Sequence, residues 1–374
     1  MKLQADSVLD NLEEIKRIDK NGMLTSCLDA AKHYGAAAGL AETPKLKRVA
    51  PKNIIVAGMG GSGIGGELFR SWVRSHLPFP VEVCRDYTLP AYADRRTLVY
   101  AVSYSGETEE TLSAFLDAVK RGCHVCCITS GGTMLEYAEK LAVPHEQVPP
   151  GMQPRAALPY LFLPMLSTME HAGIIHSLTE QLADALSTLE NVCSENTPET
   201  PLNANFCKQL ASGLAETVPV VYGHGLLSAV AQRFKQQFNE NSKVPSKWEV
   251  FSELNHNEVV GWEDPSGLTK HFSALLLRDS QEPPAMKARI EATKAILQAR
   301  GIKTCEVHAR GKTELARMLS TICIGDVASV YLAIRRGLDP TPVETISQLK
   351  NRLAQTGIRE RIIHELEEIA EERR

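Results

Sequence analysis

Two short stretches carry groups suited to holding an anion. The first, Gly58-Met59-Gly60-Gly61-Ser62-Gly63-Ile64-Gly65-Gly66, follows the apolar run 54–57 and precedes residues 67–73, which read as a helix. A strand, a glycine-rich turn and a helix start leave several backbone N–H groups pointing one way, where the helix dipole favours negative charge. The second, Ser103-Tyr104-Ser105-Gly106-Glu107-Thr108, follows the apolar run 97–102. It opens another helix, with Ser105 placed to cap it and Thr108 at the capping-box position. Both loops fall at the C-terminal ends of strands expected in one parallel sheet, where open α/β sheets bind ligands. The hydroxyls of Ser103, Ser105 and Thr108, with the N–H groups of Gly61 and Ser62, make a neutral, donor-rich cradle for phosphate. The spacing also admits a dinucleotide site. Gly58, Gly60 and Gly63 fit G-x-G-x-x-G, and Asp86 follows a second candidate strand. A dinucleotide site, however, gains nothing from three hydroxyls.

The elements that must position these loops follow from hydrophobic period. Strands are expected at 54–57, 81–84, 97–102 and 124–129, with helices to about 75 and at 107–120 and 133–140. After the polar, proline-containing stretch 194–201, which reads as a linker or surface loop, the alternation resumes. Strands at 218–222, 272–277 and 304–308 alternate with helices at 226–239, 283–299 and 313–336. Helices are also expected at 6–20 and 24–39, and in the charged tail, whose apolar seam is Ile358, Ile362, Leu366 and Ile369. Short apolar strands alternating with helices imply parallel sheets covered on both faces.

A chain of 374 residues with 43% apolar and 23% charged residues suits two domains, or two halves of one bilobed unit. A net charge of −4 gives no general attraction for nucleic acid or anionic lipid. Nine scattered cysteines, an odd number, argue for thiols in a reducing compartment. The first residues lack the apolar core of a signal peptide, and the longest apolar run, near 156–166, is broken by Pro159 and Pro164. Neither nucleic acid nor membrane is an expected partner, and a cytoplasmic location is expected. Cys123-His124-Val125-Cys126-Cys127 has a metal-like spacing on an expected buried strand with no second ligand cluster, so no metal site is assigned.

Gly-Gly-Ser-Gly-Ile-Gly-Gly and Ser-Tyr-Ser-Gly-Glu-Thr-Glu-Glu-Thr resemble the sugar-phosphate isomerase (SIS) domain, in the form found in the bifunctional phosphoglucose/phosphomannose isomerase family of the phosphoglucose isomerase superfamily. The resemblance continues through Pro154-Arg155, Phe238-Asn239-Glu240-Asn241-Ser242-Lys243, Glu253-Leu254-Asn255-His256-Asn257-Glu258 and Leu338-Asp339-Pro340-Thr341-Pro342-Val343, in the family's order. It implies an α/β fold of two SIS-type subdomains, each a mostly parallel sheet flanked by helices in a flavodoxin-like three-layer sandwich. The expected division is an N-terminal helical arm (1–50), a first SIS subdomain with the phosphate loops (51–165) and a helical connection and linker (166–207). A second SIS subdomain (208–345) and a C-terminal helical tail (346–374) complete it.

The implied activity is aldose–ketose isomerisation of glucose 6-phosphate, and of mannose 6-phosphate, to fructose 6-phosphate through a cis-enediolate, with no cofactor. That chemistry needs a carboxylate base, a cation near the developing oxyanion and a group that opens the sugar ring. The resemblance places these roles on Glu240, Arg155 and His256, and adds Lys350 as a C-terminal active-site lysine. It further implies a homodimer in which His256 is supplied by the partner subunit. Two other classes remain in view: a SIS module that binds sugar phosphate without turnover, and an NAD(P)-dependent dehydrogenase built on Gly58, Gly60 and Gly63. The first needs the hydroxyl loop but neither base nor histidine.

Overall fold

Nine strands, all paired in parallel, make two sheets among the described residues, 6–40 and 50–373 of a computed structural model. The first sheet comprises β1 (Asn53–Ala57), β2 (Val81–Cys84), β3 (Thr97–Val102), β4 (His124–Thr129) and β5 (His145–Gln147), in the order β2-β1-β3-β4-β5. The chain runs from β1 outward to β2 and then returns to the other side of β1, so the strand order reverses between β1 and β3. That reversal opens a crevice beyond the strand C-termini.

Strand alternation divides the apolar residues between two faces. Ile55, Val99, Ala101 and Cys127 face a core shared with Phe115, Tyr137 and Leu366, from the helices Glu109–Lys120, Gly132–Lys140 and Ile358–Glu372. Tyr100 faces the other way. Its ring meets Phe69 edge-on at 5.8 Å, and its hydroxyl bonds Thr168 Oγ1 at 2.8 Å. The helices Gly60–Val73 and Leu158–His171 therefore cover that face, giving three layers. Cys126 and Cys127 point to opposite faces, which is why Cys123–Cys127 does not converge on one point.

The second sheet comprises β6 (Val218–Gly223), β7 (Lys247–Val250), β8 (Phe272–Arg278) and β9 (Lys303–His308), in the order β7-β6-β8-β9. The helix Glu314–Arg335 packs against Thr179–Glu195, Phe206–Leu214 and Ser228–Glu240 and is buried along nearly all its length. It is long and apolar enough to cross a membrane, the one such helix among the described residues, but its apolar surface is buried in the core of this unit. The run 156–166 instead lies in Leu158–His171, which holds Pro159 in its first turn and Pro164 inside.

Several expectations are revised. The strands β5 and β7 were not foreseen, because His-Glu-Gln and Lys-Trp-Glu-Val at sheet edges carry no apolar run. The expected helix 6–20 is broken at Asn11, whose side chain caps Leu12–Ile18 by accepting from the N–H groups of Glu13 and Glu14. The stretch 194–201 is pinned rather than loose: buried Lys208 donates to the carbonyls of Pro198 and Thr200, each at 2.8 Å.

The chain divides into two compact units, Lys32–Leu178 with Val343–Arg374, and Met1–Ala31 with Thr179–Pro342. The described part of the arm 1–50 is thus shared between the two units, and its residues 1–5 and 41–49 lie outside the described ones. The charged tail, set apart as 346–374 in the sequence, supplies the helix Ile358–Glu372 to the first unit. There Ile362, Leu366 and Ala370 are buried, and Glu367 accepts from Lys140 and from the Tyr137 hydroxyl at 2.6 and 2.8 Å. Leu366→Ala should cost about 2–5 kcal/mol and lower the urea midpoint. An unchanged midpoint would show that this helix is not part of the core.

Candidate active site

The glycine stretch is half turn and half helix. The helix expected over 67–73 begins earlier, at Gly60, so Gly60–Gly66 form its first two turns. Close packing explains the extra glycines. A Cβ on Gly61 would lie 2.8 Å from the carbonyl oxygen of Pro154, so only glycine lets the Pro154-Arg155 backbone cross this turn. The Ser62 and Gly63 N–H groups return to the Met59 carbonyl, at 2.9 and 3.1 Å. Ser62 therefore reaches the cradle through its hydroxyl rather than its amide, while Gly61 stays in the first helical turn. Arg155 itself is 2% exposed, in the turn before Leu158–His171.

The hydroxyl loop begins where β3 ends. Ser103 is fully buried and donates to Thr108 Oγ1 at 3.0 Å. Ser105 is exposed and accepts from the Glu107 N–H at 3.2 Å, so it closes a turn and does not cap the helix. The cap position belongs to Thr108, and the helix starts at Glu109. Gly106 is the reason. Its φ of +70° breaks any earlier helical turn, and a Cβ there would lie 1.8 Å from the Gly131 carbonyl oxygen. Glu107 then ties this loop to the one after β4 by accepting from the Thr133 N–H at 2.8 Å.

Tyr104 joins the two loops, a role the sequence reading did not assign. Its N–H donates to Ser62 Oγ at 3.3 Å, and its carbonyl accepts from the Ser130 N–H and hydroxyl at 2.9 and 2.6 Å. Its phenol donates to the Pro149 carbonyl and accepts from the Met152 N–H, each at 2.9 Å. Burial pushes this phenol up, so it stays neutral and keeps both bonds. An aromatic residue between two serines of a polar loop is the one signal that could have marked it. Arg85, also missed, follows β2 and pairs with buried Glu67 at 2.8 Å, while Arg70 holds Glu67 at 2.6 Å. Asp86, the acidic residue of the dinucleotide pattern, accepts from the N–H of Tyr87 at 2.7 Å. Lys350 is exposed on Glu344–Leu353, a helix with no buried residues.

The unit built on the second sheet carries Glu240 and His256. Glu240 is the last residue of Ser228–Glu240 and is half-buried. The segment after it is tightly held. Asn241 Nδ2 donates to Ser329 Oγ at 2.9 Å, and the Ser242 hydroxyl to the Ser329 carbonyl at 2.6 Å. Lys243 adopts φ +52° and donates to the carbonyls of Glu240 and Pro340, at 2.7 and 2.9 Å. Asn239 accepts from the Ser246 N–H at 2.8 Å. These bonds fix the backbone of Glu240 from both sides. His256 ends a short 3-10 turn, Glu253–His256, and is exposed. Among the described residues no group of three or more His, Cys, Asp or Glu side chains is placed to hold a metal ion.

The structure thus gathers Gly61, Ser62, Ser103, Ser105, Thr108 and Arg155 in one compact unit. There the two loops share the β1–β3 crevice, and the Arg155 turn packs on Gly61. Glu240 and His256 belong to the other unit, and Lys350 is on an exposed helix of the first. Hydroxyls and helix-start amides at a strand-order reversal can bind an oxyanion without a charged side chain.

Comparison with known proteins agrees with both parts. A SIS domain model matches residues 49–146, and a model of the bacterial phospho-glucose isomerase C-terminal SIS domain matches residues 203–353. Among solved structures, a hypothetical protein from Thermus thermophilus has a TM-score of 0.68 at 18% identity, covering 95% of each chain. A glucose-6-phosphate isomerase like protein from the same organism has a TM-score of 0.62 at 21% identity, covering 92% of this chain and 98% of that one. These likenesses show the fold. The bifunctional phosphoglucose/phosphomannose isomerase of Caldicellulosiruptor bescii is 42% identical over 81% of this chain and 89% of its own length. That of Aquifex aeolicus is 38% identical over 81% of this chain and 90% of its own. With that identity sustained across both sheets, the chain belongs to the bifunctional phosphoglucose/phosphomannose isomerase family.

Proposed function

We propose that the chain interconverts glucose 6-phosphate and mannose 6-phosphate with fructose 6-phosphate by proton transfer through a cis-enediolate. The observation that carries this reading is the hydroxyl-and-amide cradle at the β1–β3 crevice, braced by the Tyr104–Ser62 bond. It suits a phosphate monoester, whose three terminal oxygens accept several neutral donors at once. In this reading Gly61, Ser62, Ser103, Ser105 and Thr108 bind the 6-phosphate. Glu240 moves the proton between C1 and C2, the fixed charge of Arg155 holds the enediolate oxygen, and Lys350 contributes a second cation. His256 exchanges a proton with the ring oxygen and the C1 hydroxyl, a task suited to an imidazole near neutral pH.

The same reading makes the active form a cytoplasmic homodimer, with His256 serving the partner's substrate. Its support is exposure. His256 is exposed on a chain segment that also leaves Val260 and Leu268 60% and 61% exposed. Large apolar side chains left exposed on the segment that carries this histidine suit a protein contact.

A coupled assay of the purified protein with each aldose phosphate, with and without EDTA, tests the activity. Turnover of both substrates, unaffected by the chelator, is expected. Absence of mannose 6-phosphate turnover would confine the reading to one epimer, and loss of activity on chelation would contradict the metal-free route. Glu240→Ala should lower kcat by about 10²–10⁴-fold while sugar-phosphate binding, followed by calorimetry, survives. Near-normal turnover would remove Glu240 as the base. Ser62→Ala should weaken competitive inhibition by inorganic phosphate and, by leaving the Tyr104 N–H without its acceptor, cost about 1–3 kcal/mol of stability. Unchanged inhibition would exclude Ser62 from the cradle.

A further inference from the structure

The segment between β7 and β8 presents His256 between two anchored feet. At the first foot, Leu254 is 1% exposed in the core under the second sheet. Its neighbour Asn255 donates through Nδ2 to Thr293 Oγ1 at 2.8 Å, on the helix Pro284–Ala299. The second foot is polar. Tyr222, the penultimate residue of β6, is fully buried and donates its hydroxyl to Glu258 Oε1. The indole N–H of Trp262 donates to that same hydroxyl at 2.9 Å. One phenol therefore accepts from the indole and commits its single proton to the carboxylate. His256 and Asn257 lie between the feet, both exposed.

Ring packing does not require this hydroxyl, although the buried Trp262 indole uses it as an acceptor. The Tyr222 ring already packs edge-on against Phe251, with centroids 6.0 Å apart, and a phenylalanine would keep that contact. What the hydroxyl adds is directional. It fixes Glu258 two residues beyond His256 and at the start of the turn Glu258–Gly261. Burial pushes both the Tyr222 phenol and the Glu258 carboxyl up. The phenol is thus held in its neutral form, able to donate, at every pH at which the protein would be assayed. The neighbouring carboxylate of Glu249 is directed elsewhere, accepting from the Val250 N–H at 2.8 Å.

We infer that Tyr222 and Glu258 are positioning residues for His256, their contact setting where the imidazole is presented for proton exchange. The inference rests on the reading of His256 as the ring-opening group. An anchored foot matters because a displacement of about 1 Å in a proton-transfer group can cost on the order of 100-fold in rate.

The test is steady-state kinetics with fructose 6-phosphate on Tyr222→Phe, Glu258→Ala, Glu258→Gln, His256→Ala and the double variant Tyr222→Phe/His256→Ala. Tyr222→Phe and Glu258→Ala should lower kcat by about 10- to 100-fold with KM nearly unchanged. Glu258→Gln, whose amide oxygen still accepts from the phenol, should recover most of the loss. In the His256→Ala background, Tyr222→Phe should have no further effect, because the group it positions is gone. Losses that multiply in the double variant, a raised KM with normal kcat, or normal kcat in Tyr222→Phe would each overturn the inference. Normal activity in His256→Ala would overturn the ring-opening reading and this inference with it. An impaired His256→Ala beside an unimpaired Tyr222→Phe would overturn only the positioning role.

Discussion

The bond from the Tyr104 N–H to Ser62 Oγ spans the place where the first sheet reverses its strand order. It holds the glycine stretch after β1 in register with the hydroxyl loop after β3. The remaining polar groups of Tyr104 take up the loop after β4 and the segment around Pro149 and Met152, so four stretches of chain share one anchor. A buried amide left without its acceptor costs about 1–3 kcal/mol, which makes any drift of these loops unfavourable. The two loops are consequently ordered by the protein's own hydrogen bonds, and in the proposed reading binding energy is not consumed in ordering them.

The Glu240 segment is made rigid by other means. Asn241, Ser242 and Lys243 send their bonds into a packed helix and a proline carbonyl, so the helix end is held by the second unit's own core. This is the physical reason that the long apolar helix Glu314–Arg335 carries Ser329 on the face where Asn241 and Ser242 arrive. The hydroxyl is buried, satisfied and specific, whereas an alanine there would take away the acceptor that Asn241 Nδ2 uses.

Much of this was legible in the residues. The alternation of β-branched runs and helical periods located seven of the nine strands, and the type and order of Gly58–Gly66 and Ser103–Thr108 located the crevice. What stayed hidden had local causes. The strands β5 and β7 are short, polar edges recruited by their neighbours, and no period reveals them. The helix start at Gly60 was masked because glycine-rich sequence normally argues against helix, and close approaches explain three of these glycines: the Pro154 carbonyl on Gly61, the Gly58 carbonyl on Gly63 and the Val56 side chain on Gly66. Ser105 looked like a cap until the positive φ of Gly106 moved the helix start to Glu109. Tyr104 and Tyr222 went unassigned because their work is done by backbone amides and single hydroxyls, which composition does not register.

The helix Ile358–Glu372 completes the first sheet's core although the whole second sheet is written between them. As the chain is synthesised, β1–β5 appear early, yet the surface of Glu109–Lys120 and Gly132–Lys140 that receives Leu366 stays open until the second sheet has been made. Such a closing contact of long sequence separation carries a large loop-closure entropy and is expected to form late. The first sheet to emerge is therefore among the last to be sealed, and residues 32–178 cut out alone would lack one wall of their own core.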